Sequence, residues 1–262
     1  MIDGHVHIES GPYTLEWINR YVEKAVGMHL DEIRLLEHCY RYKEFTPMYA
    51  PVRAYSAYNE AWYQRRTGVY DLADYLALVD QVRREHFPIK VLFGLEVCYF
   101  RESEDLIAAC TKDMGFDFLL GSVHFLDGFA YDHTAELWDG IDVDQAYRTY
   151  FESAIDLAKS GLFDGLGHPD AIKLFGHKPS FSLEAYYERL AQALSDSHMY
   201  ADQNSGVSRR CHETAPIPGM DTVLLQALKK HHVPIITSSD AHCPEDVGYR
   251  IAEMEQALRE YR

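Results

Sequence analysis

Ile89-Lys90-Val91-Leu92-Phe93-Gly94-Leu95-Glu96 is a short, apolar and β-branched run that stops on a carboxylate, just after a segment of helical period over about Leu72 to His86. A run of that length reads as a buried strand of a parallel sheet, with the preceding segment as its crossover helix. The unit recurs in both directions. Toward the N-terminus, Glu32 to Leu36 ends at Glu37 and His38, and the first run ends at His5 and His7 before a helix from about Thr14, a candidate N-cap, to Gly27. Toward the C-terminus, Phe116 to Val123 ends at His124, and Leu162 to Leu166, after a helix of about Val143 to Lys159, ends at Gly167 and His168. Met199 to Gln203 then runs into Asn204-Ser205-Gly206, and Val233 to Thr237 ends at Ser238-Ser239-Asp240-Ala241-His242, before a last helix of about Glu245 to Tyr261. Seven such units without a repeat or linker predict one α/β domain over residues 1–262, built as a (β/α) barrel. In such a barrel the side chains at the carboxyl ends of the strands converge on one face. The irregular stretch 39–70, crowded with Tyr, Arg and Glu, is expected to be a long loop or lid over that face.

Composition excludes other classes. With 262 residues, 47% of them hydrophobic and 13% aromatic, the chain can bury a large core, which rules out disorder, coiled coil and collagen. Lys plus Arg number 25 against 41 Asp plus Glu, and the formal charge of -16 repels a nucleic-acid backbone. No apolar run approaches the roughly 18 residues of a membrane span, and the opening Met1-Ile2-Asp3-Gly4-His5 lacks a signal-peptide pattern, so a cytoplasmic location is expected. The five cysteines are dispersed without a C-x-x-C pair, which argues against a disulfide framework or a thiolate zinc site. The 14 histidines are the unusual feature.

His5-Val6-His7 puts two imidazoles on one side of a strand, because strand side chains alternate. Asp240-Ala241-His242 repeats that geometry at the last strand end, which neighbours the first in a closed barrel. Glu96, His124 and His168 each follow an apolar run, with Gly94, Gly121 and Gly167 close before them. Any one of these histidines alone reads as a hydrogen-bonded core or loop residue; their coincidence at one end of successive strands reads as a metal centre. Imidazoles and carboxylates without thiolates suit Zn, Mn or Fe as divalent ions. Two or three clustered metals activate a water and hold phosphoryl oxygens, so a small phosphate ester is the expected substrate.

The set Asp3-Gly4-His5-Val6-His7, Glu37-His38, Gly94-Leu95-Glu96, Gly121-Ser122-Val123-His124, Gly167-His168-Pro169-Asp170 and Ser239-Asp240-Ala241-His242 resembles the polymerase-and-histidinol-phosphatase (PHP) domain family, in order along nearly the whole chain. The stretch Gly121 to His133 and the chain length resemble its stand-alone histidinol-phosphate phosphatases. The resemblance implies a distorted seven-stranded (β/α)7 barrel with up to three metals: His5, His7, Glu96 and Asp240 at the first, His38 and His242 at the second, and Glu96 with His124 and His168 at the third. It implies catalysis by Asp240, Glu96 and His242, with a metal-activated water attacking phosphorus in line. By the same resemblance, Arg209 and Lys173 are candidates for gripping phosphate oxygens. Many members carry a further His after the H-x-H; here Tyr13 stands in its place, and either Glu9 substitutes or the second metal is held more weakly. His133, His177 and His212 read as structural hydrogen bonders. The alternatives are a phosphoesterase acting on another phosphate ester or nucleotide, a non-catalytic metal-binding domain, and a metal-dependent amidohydrolase, which would require a strand-end Lys.

Overall fold

The computed structural model describes residues 1–214 and 217–260. Seven strands, β1 (Ile2–His7), β2 (Glu32–Leu36), β3 (Lys90–Cys98), β4 (Phe118–Ser122), β5 (Gly165–Leu166), β6 (Tyr200–Asn204) and β7 (Ile235–Ser238), lie side by side in sequence order. Every pairing is parallel. The two edges meet, since His7 N donates to Ala241 O at 2.7 Å and Thr237 Oγ1 to Ile2 O at 2.8 Å. The sheet therefore curls into a nearly closed barrel, which leaves no free edge for another strand.

Helices α1 (Leu15–Gly27), α2 (Ala50–Tyr55), α3 (Ala57–Arg66), α4 (Leu72–Val82), α5 (Glu104–Thr111), α6 (Val143–Lys159), α7 (Glu184–Asp196), α8 (Gly206–Arg210), α9 (Thr222–Lys230) and α10 (Ile251–Glu260) make the connections. Among the described residues none is long and apolar enough to cross a membrane. Helix α1 begins where Thr14 Oγ1 accepts from Trp17 N, and it buries Ile18, Tyr21, Val22 and Ala25, the i, i+3, i+4, i+7 spacing of one helical face. Asp142 caps α6 in the same way, and that helix buries Tyr147, Tyr150, Phe151, Ala154 and Ile155. Leu36, Phe118, Leu120 and Tyr200, with Leu92 and Ile236, pack in a small cluster separate from the main core, and alternation along the strands makes this the barrel interior. Arg34, bonded to Glu32 at 2.7 Å and stacked on Phe118 and Tyr200, lies against that cluster. Two residues beyond Gly94 on the same face of β3 stands Glu96, so the plug ends where the polar site begins.

Three expectations need correction. The run Leu162 to Leu166 pairs only at Gly165–Leu166, because a side chain replaces the ladder just before it: Asp164 Oδ2 accepts from Leu119 N at 2.7 Å. The last helix starts at Ile251, since Pro244–Asp246 form a 3-10 turn and Gly248 and Arg250 take positive φ; the expected end, Tyr261, lies outside the described residues. The stretch 39–70, expected as a long loop or lid, is largely helical: two 3-10 turns (Cys39–Arg41 and Lys43–Tyr49) followed by α2 and α3. Phe45, Tyr49, Val52 and Trp62 anchor it.

Candidate metal centre

The strand ends bring every candidate ligand to one place. Glu96, 1% exposed at the end of β3, is the hub. Its Oε1 lies 3.0 Å from His124 Nε2 and 3.0 Å from His168 Nε2. Its Oε2 faces His38 Nδ1 at 2.8 Å, His7 Nε2 at 3.3 Å and His5 Nε2 at 3.5 Å. On the far side of the H-x-H pair, Asp240 Oδ1 is 3.6 Å from both His5 Nε2 and His7 Nε2, which are themselves 2.9 Å apart. The His7 ring stacks between those of His38 and His242, at 4.1 and 4.3 Å.

A donor set built for a cation should turn lone pairs, not hydrogens, toward a common point. One oxygen at the centre meets that condition. Glu96 Oε2 is buried and receives no aligned hydrogen bond, although three imidazole nitrogens crowd it. The edges that join His5 Nε2 and His7 Nε2 to each other and to Glu96 Oε2 and Asp240 Oδ1 run from 2.9 to 3.6 Å. Ligands about 2.0–2.1 Å from one ion stand roughly 3–3.4 Å apart, so these residues fit a divalent metal. Two further groupings, His7 with His38 and His242, and His38 with Glu96 and His124, bring their ligand atoms within 4.8 Å of one another.

Outer carboxylates orient the imidazoles. His5 Nδ1 bonds Asp202 Oδ2 at 2.9 Å, and His124 Nδ1 bonds Asp132 Oδ2 at 2.8 Å. Each carboxylate favours the ring proton on Nδ1, so that Nε2 is the nitrogen that would be offered to a metal at the centre. Neither residue was singled out from the sequence. Asp202 had a signal, a carboxylate inside an apolar run; Asp132, in a loop, had none. Asp202→Asn is expected to weaken metal binding by roughly ten- to a hundredfold, measured by competition with a chelating dye; wild-type affinity would show that this carboxylate does not set the His5 tautomer.

The electrostatics separate the groups. Burial pushes His38 down to about 3 and His242 to about 4, with His7 adding to both, so these imidazoles are neutral. Burial also opposes a charge on His124, but Glu96 and Asp132 override it and raise it to about 10. Against the same burial penalty, the charged His5 and His124 hold Glu96 well below the usual carboxylate range, and His5 and His7 do so for Asp240. Backbone conformation at the centre is unusual too: His168 (φ 31) and Asp240 (φ 55) sit in the left-handed region that side chains avoid. Asp3 braces the loop carrying Asp240, accepting from Ser239 N and Gly248 N at 2.8 Å each.

Gly206 shows how closely Asp240 is cradled. A Cβ there would lie 2.4 Å from Asp240 Oδ2 and 2.6 Å from its Cβ. Gly206→Ala is therefore expected to displace Asp240 and lower metal content and turnover together while the circular dichroism spectrum stays native; a fully loaded, fully active G206A protein would show that Asp240 has room to spare.

The remaining candidates divide. Tyr13 turns away from the centre: its hydroxyl bonds Tyr42 at 2.9 Å and its ring packs on Tyr70 and Tyr75. Glu9 faces it, with Oε1 3.7 Å from His242 Nε2 and Oε2 bonded to Arg41 at 2.9 Å. Arg209 lines the cavity above the cluster but is tied to Asp246 and to the Asp240 carbonyl. Lys173 is not brought to the centre. Its Nζ bonds Asp170 at 2.7 Å and Gly219 O at 2.8 Å and lines a separate hollow, because the loop after β5 turns outward there. His133, read from the sequence as structural, lines the cavity with Trp62, Tyr58 and Phe125, whose rings stand 5.4–5.8 Å from its own. The cavity encloses about 910 Å³.

A family model described as the PHP domain matches residues 3–206. The chain belongs to the PHP domain family. A probable histidinol-phosphatase of Deinococcus radiodurans is 30% identical over 210 residues, covering 78% of this chain and 76% of that one. A histidinol-phosphatase of Bacillus subtilis is 25% identical over 270 residues, covering 94% and 95%. Two crystal structures share the fold: the HisK protein of Listeria monocytogenes, with TM-score 0.78 and 22% identity over 97% of this chain and 99% of that one, and the Lactococcus lactis histidinol phosphate phosphatase. The latter has TM-score 0.73 and 17% identity, covers 99% of this chain and 93% of its own, and is complexed with zinc, L-histidinol and phosphate. In this PHP member the family's strand-end pattern and the convergence on Glu96 coincide.

Proposed function

We propose that this PHP protein is a metal-dependent phosphoric monoester hydrolase that converts L-histidinol phosphate and water to L-histidinol and phosphate, in histidine biosynthesis and in the cytoplasm. The observation that carries the reading is the Glu96 carboxylate, whose two oxygens face five imidazoles at the floor of a cavity walled by aromatic rings and arginines. The relatives' names and the L-histidinol and phosphate in the Lactococcus lactis structure support the substrate.

In this reading His5, His7, Glu96 Oε2 and Asp240 hold one ion, His38 and His242 with Glu9 a second, and Glu96 Oε1, His124 and His168 a third; zinc, manganese and iron all suit the donors. Divalent ions there supply the Lewis acidity that ionises water and neutralises phosphoryl oxygens. The protein's part is positioning. Asp202 and Asp132 keep His5 and His124 aimed inward, and Asp240, Glu96 and His242 present their donors at the cavity floor. Trp62, Phe125 and His133 form an apolar wall against which a planar leaving group can lie. Burial pushes the Cys39 thiol up to about 12 and Cys98 well above its usual value, so neither offers a ready thiolate.

The test is phosphate release from L-histidinol phosphate, p-nitrophenyl phosphate and a phosphodiester by protein whose metals have been counted. Strong preference for histidinol phosphate supports the proposal. Turnover of only the other monoesters discards the substrate and keeps the chemistry, and bound metal without turnover discards both.

A further inference from the structure

We infer that Arg66, at the end of the lid helix α3, is a phosphate-binding residue that grips the substrate's phosphoryl group from the lid side of the cavity. The inference rests on the monoesterase reading above. A phosphate monoester is a dianion, and in a chain of formal charge -16 it needs cations with uncommitted donors beside the metal ligands.

The arginines near the centre can be accounted for one by one. Arg41 is spent on two carboxylates, Glu9 at 2.9 Å and Glu37 at 3.4 Å. Arg209 is spent on Asp246 and the Asp240 carbonyl. Arg210 gives Nη2 to the Asp132 carbonyl at 2.6 Å and keeps its other donors. Arg66 has only Glu9 Oε1, at 3.9 Å, too far for a hydrogen bond, and its side chain is 49% exposed where it lines the cavity. Its five N–H donors are therefore available, in the planar fork that matches two phosphoryl oxygens.

Its position is the second half of the argument. The same Glu9 oxygen that faces Arg66 is 3.7 Å from His242 Nε2, so the guanidinium stands one carboxylate away from the imidazole cluster. Arg210 lines the same cavity next to the Asp132 that holds His124. A phosphoryl group resting on the cluster would lie within reach of both forks, one carried by α3 of the lid and one by the end of α8. Arg65, its neighbour on α3, lines the same cavity beside Tyr58 and serves as the internal comparison.

The experiment measures inorganic phosphate binding to the manganese-loaded protein by calorimetry, with metal content and the KM for p-nitrophenyl phosphate, in wild type, R66A, R66K and R65A. Losing a charge-assisted pair should weaken phosphate binding and raise KM by roughly ten- to a hundredfold in R66A, with metal content unchanged, partial recovery in R66K and a smaller effect in R65A. Wild-type phosphate affinity in R66A overturns the inference alone. So does a loss of affinity that tracks lost metal, which would make Arg66 only a support for Glu9. A wild-type protein that binds metal but neither binds phosphate nor cleaves monoesters overturns the monoesterase reading and this inference with it.

Discussion

Replacing Glu96 with Gln should lower turnover by roughly a thousandfold or more, the scale expected when a central electrostatic element of a metal-assisted site is removed. The change is nearly isosteric, but it removes the one negative charge that five imidazoles share. It also turns one of two lone-pair-rich oxygens into an N–H donor aimed at imidazole nitrogens or at a cation, and either clash disorders the centre. Metal content should fall along with turnover, because both oxygens face candidate ligand atoms. The barrel should persist: Glu96 stands above the Leu36, Leu92, Phe118, Leu120 cluster rather than in it. Circular dichroism and elemental analysis on the same sample separate these effects. An E96Q protein with wild-type metal content and turnover would remove the carboxylate from the centre of the mechanism.

Metal removal should give the second large effect, with a pH signature. At free metal about a thousandfold above its Kd, binding adds about 4 kcal/mol to the folded state. For a protein of this size that corresponds to roughly 10 °C in Tm, lost on chelation together with activity. The pH dependences of the loaded and stripped proteins should then diverge above pH 6.5. In the metal-free fold, His124 is raised from 6.5 to about 10 by Glu96 and Asp132 against burial, so its stabilising charge is fully present below pH 6.5 and is lost as pH rises through 10. Glu37, raised to about 8 by burial, also favours the folded state less as pH rises through that value. His38 and His242, depressed by burial, withdraw stability as pH falls below 6.5 toward 3 and 4. The stripped protein should therefore be most stable near pH 6.5. The loaded protein should stay nearly flat beyond that point on His124's account, because the metal has already displaced that proton and its affinity rises with pH just as the metal-free fold loses stability. Tm measured from pH 5 to 9, with and without chelator, reads both slopes. Parallel curves would show that no ligand proton is displaced.

Much of the candidate site was legible in the sequence because strand chemistry is local. His5 and His7 share a face by alternation, and Glu96, His124, His168 and Asp240 each close an apolar run, so their convergence follows once the strands are parallel and adjacent. The residues that were missed, or misplaced, depend on loops. Lys173 was expected beside phosphate and is held instead by Asp170 and Gly219. Asp132 reaches His124 only because the β4 loop folds back on itself, with Leu126 and Phe129 exchanging backbone hydrogen bonds. The helices of the lid were hidden by Pro47, Pro51 and a poorly amphipathic run of Tyr and Arg, and with them the approach of Arg66.

The sequence by itself determined the seven strands, their parallel order and the polar residue at the end of each, because pleating and hydrophobic burial act within a few residues and need no distant partner. Only the tertiary structure decided that Glu96 is the hub, that Asp202 and Asp132 orient its imidazoles, that Glu9 and not Tyr13 faces His242, and that the lid brings Arg66 over the cluster. Those relations join residues tens to hundreds of positions apart, as with His5 and Asp202 at 2.9 Å, and such contacts exist only once the barrel has closed.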